Sequence, residues 1–138
     1  MVGPDLLATL CRMGHGDQII LGDAHFPGET CGKRLIRADG VTITALLDGI
    51  LPLMALDDYV EAPVIMMSAI LGDSADPDVE SSYREIIDRH WPATPPIHRV
   101  ERHEFYECAR SAFAVVMTGD TAKYGNILLT KGVTPIGS

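Results

Sequence analysis

Two aspartates, two histidines and two glycines cluster near the amino end, in Gly14-His15-Gly16-Asp17 followed by Asp23-Ala24-His25-Phe26-Pro27. Glycine on both sides of His15 lets the backbone turn sharply and leaves the ring accessible, as a proton donor requires. A turn whose histidine only faces water has the same spacing, so residue types alone leave both readings open. His15, Asp17, Asp23 and His25 are also acceptable ligand types for zinc or another divalent ion. His-x-Asp and Asp-x-His are weak patterns, and the expectation is no metal. A second group, Arg102-His103-Glu104 with Tyr106 and Glu107, follows a short apolar stretch. Arg102 offers a fixed fork of donors to hydroxyl groups or to a carboxylate such as Asp23, while Glu104 and Glu107 read as a solvated helix face. The third group is Tyr124-Gly125-Asn126. In extended chain its two polar side chains project to one side, and Gly125 keeps that side uncrowded; the bland alternative is an ordinary turn before a strand.

These groups need elements to hold them. Pro4 can open a helix in which Leu6, Leu7, Leu10 and Cys11 recur at helical spacing until Gly14. Gln18 to Gly22 is a continuous apolar run bounded by turn signals, the pattern of a strand covered on both faces, and Asp23 falls at its carboxyl end. After a loop with Pro27, Gly28 and Gly32, a short strand is predicted over Arg34 to Arg37. Thr42 then caps a helix carrying Ile43, Leu46, Leu47, Ile50 and Leu51, which Pro52 ends or kinks. Pro63 to Ile70 reads as another buried strand. Asp76-Pro77 starts a helix with Val79, Tyr83, Ile86 and Ile87 on one face and Arg89-His90 at its end, as the helix dipole favours. A stiff connector, Trp91 to Pro96, leads to a brief strand at Ile97 to Val100 and a helix from Glu104 to Ala112. Phe113 to Met117 and Asn126 to Leu129 are the last strands. The alternation predicts one domain over residues 1–138, a three-layer α/β/α sandwich around a mostly parallel mixed sheet of about six strands. In such sheets ligands collect at the carboxyl ends of the strands, where these groups stand.

Composition narrows the partners. Eleven basic against nineteen acidic residues leave a formal net charge of -8, which repels phosphate backbones and anionic lipid surfaces. Neither nucleic acid nor a membrane is expected. At 46% hydrophobic residues the chain folds rather than staying disordered. No apolar run approaches the length of a membrane helix, and Met1 to Asp5 lacks the basic flank of a secretory signal. Cys11, Cys31 and Cys108 are odd in number and widely spaced, so a reducing cytoplasm is the simplest home.

The ordered set Gly14-His15-Gly16-Asp17, Asp23-Ala24-His25-Phe26-Pro27, Phe105-Tyr106-Glu107, Thr118-Gly119-Asp120 and Tyr124-Gly125-Asn126-Ile127 resembles the RbsD/FucU family, on its L-fucose mutarotase branch. The resemblance runs from Leu6 to Pro135. It implies an isomerase that interconverts the α and β anomers of a free monosaccharide, L-fucose first, without metal or organic cofactor. His15 matches the family's proton donor; Asp23, Arg102 and the Tyr124-Gly125-Asn126 segment match its sugar-binding positions. Ribose-type relatives place a lysine and a histidine around the second group, whereas this chain has Arg102 and Phe105-Tyr106-Glu107, which favours fucose. Departures from the family pattern include Gln18 for an acid and Gly22 for alanine or serine. The family also implies a ring-like homo-oligomer, often a decamer.

The chemistry of the residues is consistent with that role. Anomer exchange needs a proton delivered to the ring oxygen and another withdrawn from the anomeric hydroxyl; the open aldehyde then rotates and closes on its other face. A histidine, with an ordinary pKa of about 6.5, can give and take a proton near neutrality, an assistance worth about 10²–10⁴ in rate. Asp23 would act as partner base, Arg102 as donor, Tyr124 as donor or relay and Asn126 as an amide clamp. Straight strand between residues 17 and 23 would separate its ends by about 20 Å, so His15 and Asp23 of one chain cannot touch the same monosaccharide. The expectation is a site between subunits, with His15 supplied across the interface. Four rivals remain: a non-catalytic sugar-binding accessory of transport or utilisation, a D-ribose pyranase-like enzyme, a metal-assisted hydrolase on His15, Asp17, Asp23 and His25, and a purely structural assembly subunit that binds no sugar.

Overall fold

In a computed structural model of the chain, residues 2–135 are described; the expected domain span of 1–138 includes residues 1 and 136–138, which lie outside them. Helix α1 (Pro4–Arg12) starts on the proline and turns Leu6 and Leu10 inward. Strand β1 (Gln18–Gly22) buries Ile19, Ile20 and Leu21 completely, because helices cover both of its faces. A one-turn helix, α2 (Gly28–Cys31), occupies what the sequence presented as loop. A side chain at Gly28 would meet Met117 of the sheet beneath it, so glycine there sets how closely α2 approaches. Next come β2 (Leu35–Ala38) and α3 (Ile43–Ile50), the latter capped by the Thr42 hydroxyl, which accepts from the Ala45 amide.

Strand β3 (Val64–Met67) is shorter than predicted. The Ser68 amide still donates to the Val100 carbonyl, after which the chain leaves the sheet and residues 68–76 form a loop at its rim. Helix α4 (Pro77–His90) is capped by Asp76, and β4 (His98–Val100) follows. Helix α5 (Arg102–Ser111) begins two residues earlier than predicted because the Glu101 carboxylate accepts from the Glu104 amide; Arg102 therefore lies in its first turn. Strands β5 (Ala114–Thr118) and β6 (Ile127–Thr130) complete the sheet.

The strand order is β2-β5-β1-β6-β3-β4. Strands β1, β2 and β5 are mutually parallel in direction, β3 and β4 pair parallel, and β6 lies antiparallel between β1 and β3. One apolar layer joins α1, α3 and α4 to the sheet through Leu10, Leu47, Ile50, Ile87 and Ile127. The other joins α2 and α5 through Ile20, Phe26, Cys31, Phe105, Val115 and Leu128. Each fully covered Leu, Ile or Phe contributes about 1.5–3 kcal/mol relative to exposure, so the three-layer sandwich is held chiefly by these two layers. The reversed β6 has one consequence for function: its amino end meets the carboxyl ends of β1, β3 and β4 at a single rim. No helix among the described residues is long and apolar enough to cross a membrane.

Candidate functional site

At that rim, Asp23 follows β1, Arg102 follows β4, and Tyr124 and Asn126 precede β6, so the last two sequence groups and half of the first converge. All four line one cavity of about 450 Å³, with Met67, His25 and Tyr106 forming more of its wall, a size within the usual range for small-ligand sites. A larger depression of about 810 Å³ runs beside α4. Its guanidinium groups are already engaged: Arg99 by Glu80 and the Met67 carbonyl, Arg84 by Asp88 and the carbonyls of Thr94 and Pro95.

Asp23 is only 2% exposed. Its own amide donates to Asn126 Oδ1 at 2.8 Å, and its carboxylate oxygens accept from the His25 amide at 2.9 Å and the Gly125 amide at 3.2 Å. Strands β1 and β6 are thus clasped where they enter the cavity. Burial raises the Asp23 pKa above its ordinary value, and the two amides only partly offset it; a carboxyl poised this way can exchange protons more readily than an exposed aspartate. Of the two acceptors considered for Arg102, the Asp23 carboxylate is bonded to these backbone amides instead, and the Arg102 side chain, on an exposed residue, stands at the cavity wall.

Tyr124 has φ 57°, the left-handed region that non-glycine residues seldom occupy, and such strain clusters at binding sites. Its hydroxyl donates to Asp73 Oδ2 at 2.8 Å and accepts from the Ile70 amide at 3.4 Å. Lys123 Nζ reaches the same Asp73 oxygen at 2.6 Å. The Lys123 bond, the Ser74 amide and the Tyr124 hydroxyl together hold the Asp73 carboxyl at about 2. Gly125 is required sterically: a Cβ there would lie 2.9 Å from the Ala122 carbonyl oxygen and 3.1 Å from the Tyr83 hydroxyl. That hydroxyl donates to the Gly125 carbonyl at 2.7 Å, tying α4 to the segment. Tyr83 stood out in the sequence only as an inward helix position.

His15 is elsewhere. It precedes β1, so the full strand separates it from Asp23, and it does not line the cavity. Its Nε2 lies 2.8 Å from Asp57 Oδ1, in a pair whose side chains are 46% and 1% exposed, and its ring packs on Tyr59 with centroids 4.8 Å apart. Burial pushes the Asp57 carboxyl up, but the His15 bond and the amides of Val60 and Tyr59 outweigh it and hold the pKa low. The sequence offered no signal for Asp57, which stands in a polar stretch more than forty residues away and reaches His15 through the Leu56–Lys131 bridge. The four residues of the metal reading are split between the rims, and no group of three or more His, Cys, Asp or Glu converges among the described residues.

Residues 1–134 match the model of the RbsD/FucU transport protein family. The chain belongs to the RbsD/FucU family. An L-fucose mutarotase of Histophilus somni is 53% identical to it over 135 residues, 98% of this chain and 94% of that protein. Among solved structures, the fucose mutarotase of Streptococcus pneumoniae in complex with L-fucose superposes with a TM-score of 0.92 at 46% identity, covering 97% of this chain and 95% of the other. Bacillus subtilis RbsD complexed with D-ribose shares the RbsD/FucU fold, with a TM-score of 0.73 at 20% identity and coverage of 98% and 96%.

Proposed function

We propose that this chain is an L-fucose mutarotase, an isomerase that exchanges the α and β anomers of the free sugar by acid/base opening and closure of the ring. The observation that carries the reading is the cavity: a buried carboxyl with raised pKa, a guanidinium at the wall and an amide side chain gathered at one rim, in a chain 53% identical to an L-fucose mutarotase. Asp23 accepts the anomeric hydroxyl's proton, Arg102 donates to sugar hydroxyls, and Asn126 turns its amide nitrogen to the ligand while its oxygen holds the Asp23 amide. Gly125 brings its backbone close to the sugar. Tyr124, whose hydroxyl is committed to Asp73, positions the ligand through its ring and serves as relay only when that bond is exchanged. No covalent intermediate is needed.

His15 delivers the ring-oxygen proton from a second copy of the chain. Support comes from exposed apolar residues at both rims, Ile70 and Leu71 at the cavity loop and Tyr59 and Val60 beside His15. Joining one rim to the other is a head-to-tail contact, which closes into a ring when the rotation permits. A ring-like decamer in a reducing cytoplasm is the assembly and compartment we infer, and the three free cysteines fit that compartment. Saturation-transfer NMR of anomeric protons tests the activity. We expect the protein to accelerate exchange in L-fucose more than in D-ribose; binding of L-fucose with no acceleration would instead make the chain a sugar-binding accessory, and preference for ribose would make it pyranase-like.

A further inference from the structure

Lys131 is the first residue past β6, and it holds the chain on both sides of His15. Its Nζ donates to the carbonyls of Leu10 at 2.9 Å and Met13 at 2.7 Å. These lie at the carboxyl end of α1, where carbonyls have no partner within the helix and the helix dipole favours a cation. The main chain of Lys131 acts on the other side. Its carbonyl accepts from the Gly16 amide at 2.8 Å and its amide donates to the Asp17 carbonyl at 2.8 Å, so the β1–β6 ladder runs one pair beyond Gln18 and Thr130. The turn also closes on itself: the Gly14 amide donates to Asp17 Oδ2 at 2.8 Å, and the Asp17 amide to the Gly14 carbonyl at 3.1 Å. Gly16, at φ 89°, takes the left-handed conformation that lets the chain leave this ladder. Lys131 is itself fixed, by its bridge to Leu56 and by the Gly132 amide, which donates to the Ala55 carbonyl at 2.7 Å.

The chain carries nineteen acidic residues, yet among the described residues no carboxylate pairs with Lys131. Two of the three donors on its ammonium go to backbone instead. From this arrangement we infer that Lys131 is a positioning residue for His15: ammonium and main chain together clamp the Gly14–Asp17 turn, and so set the direction in which the imidazole stands out from its rim. Met13, two positions before His15, and Gly16, one position after it, share this one anchor. Lys131 lies at the rim opposite the sugar cavity and does not line it; it acts through His15. The catalytic consequence rests on the mutarotase reading; the clamp does not.

Amide hydrogen exchange of the turn, followed by NMR, tests the clamp without any sugar. Residues 14–16 are exposed, yet the Gly14 and Gly16 amides of the wild-type protein are expected to exchange slowly, because each is bonded. Free exchange at Gly16 would overturn the inference, whatever any variant does. Lys131→Met keeps an unbranched side chain and removes its donors, so exchange over residues 13–17 is expected to quicken. A misplacement of about 1 Å can cost about 10²-fold in rate. We therefore expect kcat for anomer exchange to fall at least about tenfold, with KM little changed because the cavity is untouched. Lys131→Arg retains a cation with several donors and should keep most of kcat. A folded Lys131→Met protein with wild-type kcat, with loss confined to KM, or with a loss matched in Lys131→Arg, would refute the positioning role and leave an ordinary helix cap. If wild-type protein exchanges no anomers, the mutarotase reading fails and the turn alone decides the clamp: with exchange quickened in Lys131→Met it stands, with exchange unchanged it falls.

Discussion

Replacing Tyr83 with phenylalanine removes one donor from the underside of the site. The Tyr83 residue is 1% exposed, and its hydroxyl donates at 2.7 Å to the carbonyl of Gly125. Burial, then the charges of Asp120 and Asp23, push the phenol far above its ordinary pKa, so it remains a donor at every working pH. Tyr83→Phe keeps the ring in the apolar layer that joins α1, α3 and α4 to the sheet, and it leaves no void. What changes is a buried carbonyl stripped of its partner, which costs about 1–3 kcal/mol; sparing the hydroxyl its own desolvation brings the net to about 1–2 kcal/mol. For a chain of this length each kcal/mol moves Tm by about 3–4 °C, so calorimetry should find Tm lowered by about 3–8 °C. Because Gly125 lies between Tyr124 and Asn126, the loosened segment should also bind sugar less tightly, raising KM while kcat is nearly preserved. A Tm within about 1 °C of wild type, or loss of kcat at constant KM, would refute the claim that α4 braces the site through this one bond.

Mixing is informative for the shared site: His15→Ala and Asp23→Asn subunits, each inactive alone, should regain anomer exchange when unfolded and refolded together, and NMR exchange rates that stay at background would exclude a donor supplied by a neighbour. The raised pKa of Asp23 implies a term in stability that is full below the ordinary carboxylate value of 3.8 and is lost as pH rises through the higher folded value. Denaturant midpoints of wild type minus those of Asp23→Asn should therefore fall across that window; a difference that grows with pH would contradict the sign. Asp73 behaves oppositely. With its carboxyl held at about 2, the clasp on Tyr124 should persist as pH falls below 3.8 and release only near pH 2, a transition visible in the Tyr124 ring resonances and absent in Asp73→Asn. Finally, a Cβ at Gly119 would run into the Asp39 carbonyl, so Gly119→Ala should shift β5 against the turn after β2 and lower Tm by several degrees, whereas alanine at Gly40, with open space around it, should leave Tm nearly unchanged.

Much of the architecture could be read from periodicity. The run from Gln18 to Gly22 is apolar at every inner position because helices cover both faces of β1, and that strand lies where predicted. The same holds for α3 behind its Thr42 cap and α4 behind Asp76-Pro77, since caps and prolines act locally. Where expectation and structure differ, the deciding contact is distant in sequence: α2 sits close to Met117 because Gly28 has no side chain, and β3 stops early where the chain leaves the sheet into the 68–76 loop, whose Ile70 lines the cavity. The separation of His15 from Asp23 was legible too, because strand rise is a property of the backbone.

Residue types and local spacing determined most of the elements, the α/β class and the polar groups able to handle a proton or a hydroxyl, all of which depend on forces acting over a few residues. Only the tertiary structure decided which groups meet. Reversal of β6 brings Tyr124 and Asn126 to Asp23, Tyr83 arrives from across the sheet, and Asp57 finds His15 across forty-two positions. Those meetings follow from strand order and from the need of every buried polar group for a partner, and neither is written in any short stretch of chain.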